Sequence, residues 1–292
     1  LIAQLDDTPS AALVRRALNA LARMTHRGGV AADGLSGDGC GLLIKQPDAF
    51  LRALAAEAGI ALGQRYASGL IFLPHDESAA AHAKKTFSTT LREQGLAVSG
   101  WRGVPVADSV CGELAKRAMP RIEQIFVVPV LDVEGARMSA EEFGLALYLA
   151  RRRAERTLRE TLEDPGALYV VSLSAHSIGY KGMVLPQYLS TLYPDLQRPA
   201  LASSAVVFHQ RFSTNPRPRW PLAQPFRLLA HNGEINTIAG NRLWASARAH
   251  VWRTARMDPS EFSPPIEMDG SDSQSLDSML ELLQAGGMDL LK

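Results

Sequence analysis

Cysteine is nearly absent: Cys40 and Cys111 are the only two in 292 residues. Two thiols in a chain this long exclude a disulfide framework, and a reducing, cytoplasmic setting fits best. Charge imbalance is absent too. The formal net charge is +1, so composition gives no reason to propose a nucleic acid or membrane partner. No apolar run is long enough to cross a bilayer, and no basic segment leads into an apolar one as in a signal peptide. Internal repeats, low-complexity tracts and an obvious linker are also missing. What is present is a composition 46% hydrophobic, enough for a sizeable core in one large domain or two smaller ones. Methionine is missing from the first position. The chain opens in the apolar Leu1-Ile2-Ala3-Gln4-Leu5 and ends just after Gly286-Gly287. It is therefore expected to be a piece of a longer polypeptide, entered partway through a strand.

Along the chain, helical and strand patterns alternate. Thr8-Pro9 offers an N-cap and a first helical residue. Val14, Ala17, Leu18, Leu21 and Met24 follow at helical spacing until Gly28-Gly29 ends the run. Residues 31–41 hold Gly and Asp in alternation and predict a loop, followed by a buried strand at Leu42-Leu43-Ile44. The EF-hand spacing and its terminal Glu are missing, which argues against a calcium loop. Cys40 reads as a small buried thiol rather than a nucleophile. Helices are predicted over 48–58, 78–94 and 139–162, and strands over 67–73, 96–101 and 122–131. The charge-dense run Arg151-Arg152-Arg153, with Glu155, Arg156, Arg159 and Glu160, predicts a solvated helix face with pairs such as Glu155–Arg159. Residues 168–174 predict a strand with 176–183 as its hairpin partner, and 205–208 another strand. Four prolines between Pro216 and Pro225 exclude helix and central strand, leaving an ordered loop.

Three groups carry chemistry. Arg211 follows the strand at 205–208. Asn232 and Gly233 follow the apolar 226–230, read as a buried strand, and precede a helix predicted over 237–252. Asp272 stands in Gly270-Ser271-Asp272-Ser273, ahead of the apolar Leu276, Met279, Leu280 and Leu283. Asn-Gly alone reads as a tight turn, Arg211 as a partner for a surface carboxylate, and Asp272 or a flanking Ser as a helix cap. Together they suit a free α-amino acid. A guanidinium forks onto the α-carboxylate, a carboxylate takes the α-ammonium, and the Asn232 amide with the Gly233 N–H forms a pair of oxyanion donors facing a side-chain carbonyl.

These motifs resemble a family. His209-Gln210-Arg211-Phe212-Ser213-Thr214-Asn215, Ala230-His231-Asn232-Gly233-Glu234-Ile235-Asn236 and Gly270-Ser271-Asp272-Ser273 are similar to the glutaminase domain of the glutamate synthase large subunit, a class II (N-terminal-nucleophile) glutamine amidotransferase. Met24-Thr25-His26-Arg27-Gly28-Gly29, Gly37-Asp38-Gly39-Cys40-Gly41 and 220–226 fit it as well, and the bacterial NADPH-linked form looks most similar. The resemblance implies an α+β fold, a four-layer αββα sandwich around two antiparallel sheets, with 1–292 as a single amidotransferase domain. It implies hydrolysis of L-glutamine to glutamate and ammonia, with ammonia passed to a synthase site for reductive amination of 2-oxoglutarate. By the match, Asn232 and Gly233 are catalytic. Arg211, Thr214 and Asp272 bind substrate, and Arg27 and Gly28 lie near the nucleophile. No metal and no cofactor is expected in these residues. FMN and a 3Fe–4S cluster are implied for the full-length large subunit, and FAD and NADPH for its partner, a small NADPH-oxidising subunit. Downstream synthase domains of the same chain are implied as well. The family's nucleophile is an N-terminal Cys whose own α-amino group is the base. The Cys-Gly-x-Gly segment expected immediately before Leu1 is not in the sequence, so these residues alone are expected to be inactive. The rival expectations are a non-catalytic glutamine-binding or structural module and another class II amidotransferase.

Overall fold

The computed structural model describes residues 1–130, 138–211, 217–262 and 264–290. Its strands are β1 (Ile2–Ala3), β2 (Ser36–Lys45), β3 (Ala67–Leu73), β4 (Leu96–Gly103), β5 (Arg121–Pro129), β6 (Tyr169–Val170), β7 (Ser177–Val184) and β8 (Ala205–Gln210). Its helices are α1 (Ala11–Ala22), α2 (Asp48–Glu57), α3 (Glu77–Glu93), α4 (Glu113–Arg117), α5 (Ala140–Thr161), α6 (Leu189–Leu192), α7 (Ile238–Ala247) and α8 (Asp272–Ala285). The strands form two four-stranded sheets, ordered β1-β8-β2-β7 and β4-β5-β3-β6, and their ladders are antiparallel. This is the expected α+β architecture of two sheets with helices.

Alternation along β3 positions the core. Leu70 and Phe72 join the cluster that Leu42, Ile44, Ile178 and Tyr180 of the other sheet enter. Ala67, Ile71 and Leu73 point the opposite way, into a cluster with Phe87 and Leu91 of α3 and Phe143, Ala150 and Ala154 of α5. The two-residue period of a strand thus builds two apolar layers from one segment. Helix α5 starts where its sequence says it should. Ser139 accepts from the Glu142 amide and Glu142 accepts from the Ser139 amide, a reciprocal capping box.

Four expectations need correction. Ser10, not Thr8, caps α1, accepting from the Leu13 amide at 3.3 Å. The Ser10 amide donates to Ser203 O at 3.0 Å, which ties the helix start to the segment ahead of β8. The Gly-rich segment is a loop only over 31–35, because β2 already begins at Ser36. Its glycines serve close approach: Gly39 has φ +120°, and a Cβ on Gly41 would meet Tyr180 O and Lys181 Cβ at 2.6 Å and Gln224 O at 2.9 Å. Residues 168–174 and 176–183 are not a hairpin. Only Tyr169–Val170 joins a ladder, on β3, while β7 pairs with β2 in the other sheet. The chain between them crosses from sheet to sheet, with the Gly179 amide donating to Ser172 Oγ at 3.0 Å.

The charge-dense run of α5 is solvated only in part: Arg156, Arg159 and Glu160 are exposed, with Arg156 pairing to Glu160 at i,i+4, but its first two arginines are buried. Arg151 is 2% exposed and Arg152 7%, because α8 and the turn Pro259–Phe262 cover that side. Arg151 donates to Glu155 and to Glu281 at 2.9 Å, so Glu155 turns to Arg151 rather than Arg159. Arg152 donates to Pro264 O at 2.7 Å and lies over the Phe262 ring. The predicted end of β5 at Leu131 lies outside the described residues.

Close approach at Gly41 makes a direct test. Gly41→Ala should cost about 1–3 kcal/mol through overpacking against backbone on two sides. A thermal midpoint lower by several degrees is expected, and an unchanged midpoint would show that the sheet and the 223–225 segment can separate freely.

Candidate functional site

Strand β8 delivers the first group. His209 and Gln210 complete its ladder with β2. The next amide, Arg211 N, donates to Gly39 O at 2.8 Å, and the Arg211 guanidinium donates to Asp38 O at 3.3 Å. Arg211 is 4% exposed, so it is not a surface residue. Burial pushes its guanidinium down from the ordinary value, with Asp38 opposing. Asp38 in turn donates its amide to Gly29 O at 3.2 Å. A Cβ on Gly28 would stand 1.7 Å from Gln210 Nε2, and one on Gly29 would stand 2.4 Å from Asp38 Oδ2. The Gly28-Gly29 turn therefore lies against the end of β8 and the start of β2. Arg27 closes the short helical turn Thr25–Arg27 and is exposed.

The second group is the loop at 231–236, held from three sides. Gln224 accepts from the His231 amide at 2.8 Å and donates to His231 O at 2.9 Å. Ser273 Oγ donates to His231 O at 3.0 Å. Asp272 accepts from the Ile235 amide at 2.8 Å, while Ser271 is the N-cap of α8, accepting from Gln274 N. The capping function thus falls to Ser271, and the Asp272 carboxylate faces the loop. Asn232 and Gly233 are exposed. The Gly233 amide donates to His231 Nδ1 at 3.3 Å. A Cβ there would meet His231 Cε1 at 2.7 Å, so the imidazole folded beneath the backbone is what requires glycine. Thr237 at the start of α7 has φ +57°.

Ahead of this loop, 226–230 is not a strand. Three of its amides go to one side chain: Asp277 accepts from Arg227 N at 3.3 Å, Leu228 N at 2.8 Å and Leu229 N at 3.2 Å, while Phe226 N donates to Leu229 O at 2.9 Å. A side chain from α8 replaces the ladder that the apolar run predicted. Asp277 is fully buried, and burial pushes its carboxyl up while Arg227 pulls it down. Arg227 also donates to Glu281 at 2.7 Å and to Val170 O at 3.0 Å.

The two groups meet through 223–224 and His209. A Cβ on Gly39 would touch Ala223 at 2.7 Å, and Gln224 is the residue that clamps His231. His209 feels both Arg211 and His231, and burial, with these two neighbours, pushes its imidazole down to about 4. Its Nδ1, and Oε1 of Gln210, are buried atoms with no hydrogen-bond partner among the described residues. Arg211, Gly28, Asn232, Gly233 and Asp272 thus lie on adjoining segments. Thr214 lies outside the described residues. Sequence reasoning did not single out His209, Gln210, Gln224 or Asp277. The first three sit inside motifs it quoted. Asp277 lies within the apolar periodicity of α8 and gives no signal of its own.

Cys40 is fully buried, with Sγ 3.4 Å from Val184 O, and burial pushes its thiol far up. Cys111 is 2% exposed, pushed up to about 11, chiefly by burial. Neither has the electropositive, accessible surroundings of a reactive thiol.

Residues 1–292 match the family described as glutamine amidotransferases class-II. The chain belongs to that family. Within it, this chain is 42% identical over 293 residues to ferredoxin-dependent glutamate synthase 2 of Arabidopsis thaliana, covering 98% of this chain and 17% of that protein. It is 40% identical to the large chain of NADPH glutamate synthase from Azospirillum brasilense, over 98% of this chain and 19% of the relative. The corresponding Bacillus subtilis chain is 36% identical over 94% of this chain and 18% of its own length. The amidotransferase chain thus spans less than a fifth of these relatives.

Two measurements probe the site's scaffold. Asp277→Ala leaves three amides without their acceptor, with Glu281 as the carboxylate remaining to Arg227, and should cost about 1–3 kcal/mol or more. Chemical denaturation measures it, and a cost under about 1 kcal/mol would mean that the 226–230 segment finds other partners. His209 gives a pH effect of definite sign. Its folded-state pKa of about 4 lies below the ordinary 6.5, so the unfolded chain takes up the proton first. Its contribution to stability is complete above about pH 6.5 and is lost as pH falls toward 4. His209→Gln should therefore lose less thermal stability than the parent between about pH 7 and 4.5. Parallel curves for the two proteins would remove His209 from the acid response.

Proposed function

We propose that this chain is the glutamine-hydrolysing part of a glutamate synthase. It converts L-glutamine to L-glutamate and ammonia for a synthase site elsewhere in the parent polypeptide, where ammonia aminates 2-oxoglutarate reductively. The observation that carries this reading is the register of β1. Ile2 stands opposite Val206 and Ala3 opposite Ala205 on antiparallel β8. Any residues ahead of Leu1 therefore run toward Gln210 and Arg211. Continued on that register, the residue four places ahead of Leu1 stands opposite Arg211. That is where the first residue of a Cys-Gly-x-Gly segment would lie.

The chemistry follows from those positions. The guanidinium of Arg211 takes the glutamine α-carboxylate as a planar fork, and Asp272 takes the α-ammonium. Thr214 is assigned to the same pocket. The N-terminal thiol gives its proton to its own α-amine and attacks the γ-carbonyl carbon. Asn232 and the Gly233 amide stabilise the resulting oxyanion. Gly233 is exposed and its bond to His231 Nδ1 is long, so turning that amide to the oxyanion costs little. The C–N bond breaks, the α-ammonium returns a proton to the departing amine, and ammonia leaves a γ-glutamyl thioester that water hydrolyses. Arg27 and Gly28 border the nucleophile.

The redox steps belong elsewhere. An iron–sulfur cluster takes accessible thiolates, and the two cysteines here are buried, with thiols held protonated. They do not fit such a group. FMN and a 3Fe–4S cluster are assigned to the synthase domains, and FAD and NADPH to a small partner subunit.

The test is ammonia release from glutamine by the full-length protein with its native amino terminus. Replacing the N-terminal Cys by Ala should abolish release. Arg211→Lys should raise KM for glutamine by roughly tenfold or more, the loss of one charge-assisted bond. Release that survives the N-terminal change and disappears with Cys40→Ala would overturn the reading.

A further inference from the structure

Gln210 is buried in a position that the chemistry above does not use. It is 2% exposed, it is the last residue of β8, and its side chain rests on Gly28 with Nε2 in the space a Cβ would take. Nε2 has Arg211 O at 3.4 Å, while Oε1 is buried without a hydrogen-bond partner among the described residues. A buried amide oxygen left unpaired costs about 1–3 kcal/mol, and native structures seldom retain one without a reason. A leucine or methionine would fill the same space without that cost. An amide oxygen is an acceptor only, so its partner must be a donor arriving between Gly28 and the end of β8.

Arg211 is directed to the Asp38 carbonyl. His231 is tied to Gln224 and Ser273. The Gly39 side of β8 is occupied by the β2 ladder, and the remaining side is the one along which β1 runs. On that register, the donors arriving next to Gln210 and Arg211 are those of the chain preceding Leu1. The terminal one is an α-ammonium, which carries N–H donors and positive charge but no acceptor, and so matches a carbonyl oxygen.

Resting on the proposed function, we infer that Gln210 is a positioning residue whose Oε1 accepts from the α-amino group of the N-terminal nucleophile, with Gly28 setting the height of the amide. The side chain holds the amine beside its own thiol and biases its proton equilibrium. Accepting from the ammonium favours the charged form, so Gln210 tunes the pH at which the amine becomes a base. Gly28 contributes by having no side chain. Any Cβ there would drive the Gln210 amide away.

The experiment uses the full-length protein with its native amino terminus and follows the pH profile of kcat/KM for ammonia release. Gln210→Met removes the acceptor at similar volume, and should move the acid limb to lower pH while reducing kcat by about tenfold. Gln210→Glu puts a carboxylate beside the ammonium, and should move the acid limb to higher pH. Alkylation of the nucleophile by 6-diazo-5-oxo-norleucine should shift with pH in the same two directions. KM for glutamine should change little in either variant, since Oε1 does not touch substrate. Thermal midpoints are measured alongside. Profiles that superpose on the parent's, with activity falling only as the midpoint falls, would assign Gln210 a merely structural role and overturn the inference. Should Gln210→Met fail to fold, Gln210→Glu alone reads the shift. An active parent with unmoved profiles defeats only this inference. A parent whose ammonia release survives loss of the N-terminal Cys defeats the function on which it rests.

Discussion

One buried carboxylate organises the half of the site that faces solvent. Asp277 reaches from α8 to three consecutive amides at 227–229, and no ladder holds that segment. This contact pairs three of the segment's amides, which an apolar run outside any ladder must satisfy somewhere. The arrangement carries its own electrostatic demand. A carboxylate with no exposure needs a countercharge, and Arg227 supplies it while also pairing with Glu281. Glu281 then engages Arg151 of α5, which pairs with Glu155. The chain of charges runs from the loop segment through α8 into the long helix behind the second sheet. Removing Arg227 would leave the fully buried Asp277 without its cation, in a medium where unpaired charge is costly.

This connection explains how a loop can present a defined constellation. Asn232 and Gly233 are exposed, yet the residues around them are clamped by Gln224, Ser273 and Asp272. All three clamps are side chain to backbone, so they fix the course of the chain while leaving the Asn232 side chain and the Gly233 amide at the surface. The opposite half is built differently. Arg211 continues the β2–β8 pairing through Gly39, and its position is set by sheet register. A rigid sheet end carries the proposed carboxylate-binding group, and a clamped loop carries the proposed oxyanion donors. His209, pressed between Arg211 and His231, is kept uncharged by burial and by those neighbours. A cation there would add to the positive charge already beside Arg211, so a neutral imidazole suits a junction between the two halves.

How far the sequence revealed this depended on whether the information was local. The long periodic segments were legible. Ala67–Leu73 matches its expected bounds, the helix expected over 139–162 spans Ala140–Thr161 with Ser139 as its cap, and the buried thiol at Cys40 was foreseen. Elements failed where distant residues decide the outcome. The apolar 226–230 reads as a strand because it is apolar, and only Asp277, half a helix beyond the Gly-Ser-Asp-Ser motif, shows otherwise. Adjacent strands at 168–184 read as a hairpin because neighbours usually pair, but here they join different sheets. Arg151 and Arg152 read as solvated because charged residues usually are, and the cover that buries them arrives from the C-terminal third of the chain.

The site residues divide along the same line. Arg, Asn, Gly and Asp were recognisable as residue types suited to an amino acid substrate, and the segments that carry them do adjoin in space. What the sequence could not display is how they are supported. Gly28 means little until the Gln210 amide is seen lying where its side chain would be. Gly233 reads as a turn residue, whereas the structure makes it the space for the His231 ring. In both cases glycine marks a neighbour's position rather than an unusual backbone angle, since neither residue has a positive φ. A glycine in such a motif is therefore best interrogated by asking which side chain occupies the volume it leaves. For Gly28 that question leads to an unpaired carbonyl oxygen at the end of the strand along which the amino terminus runs.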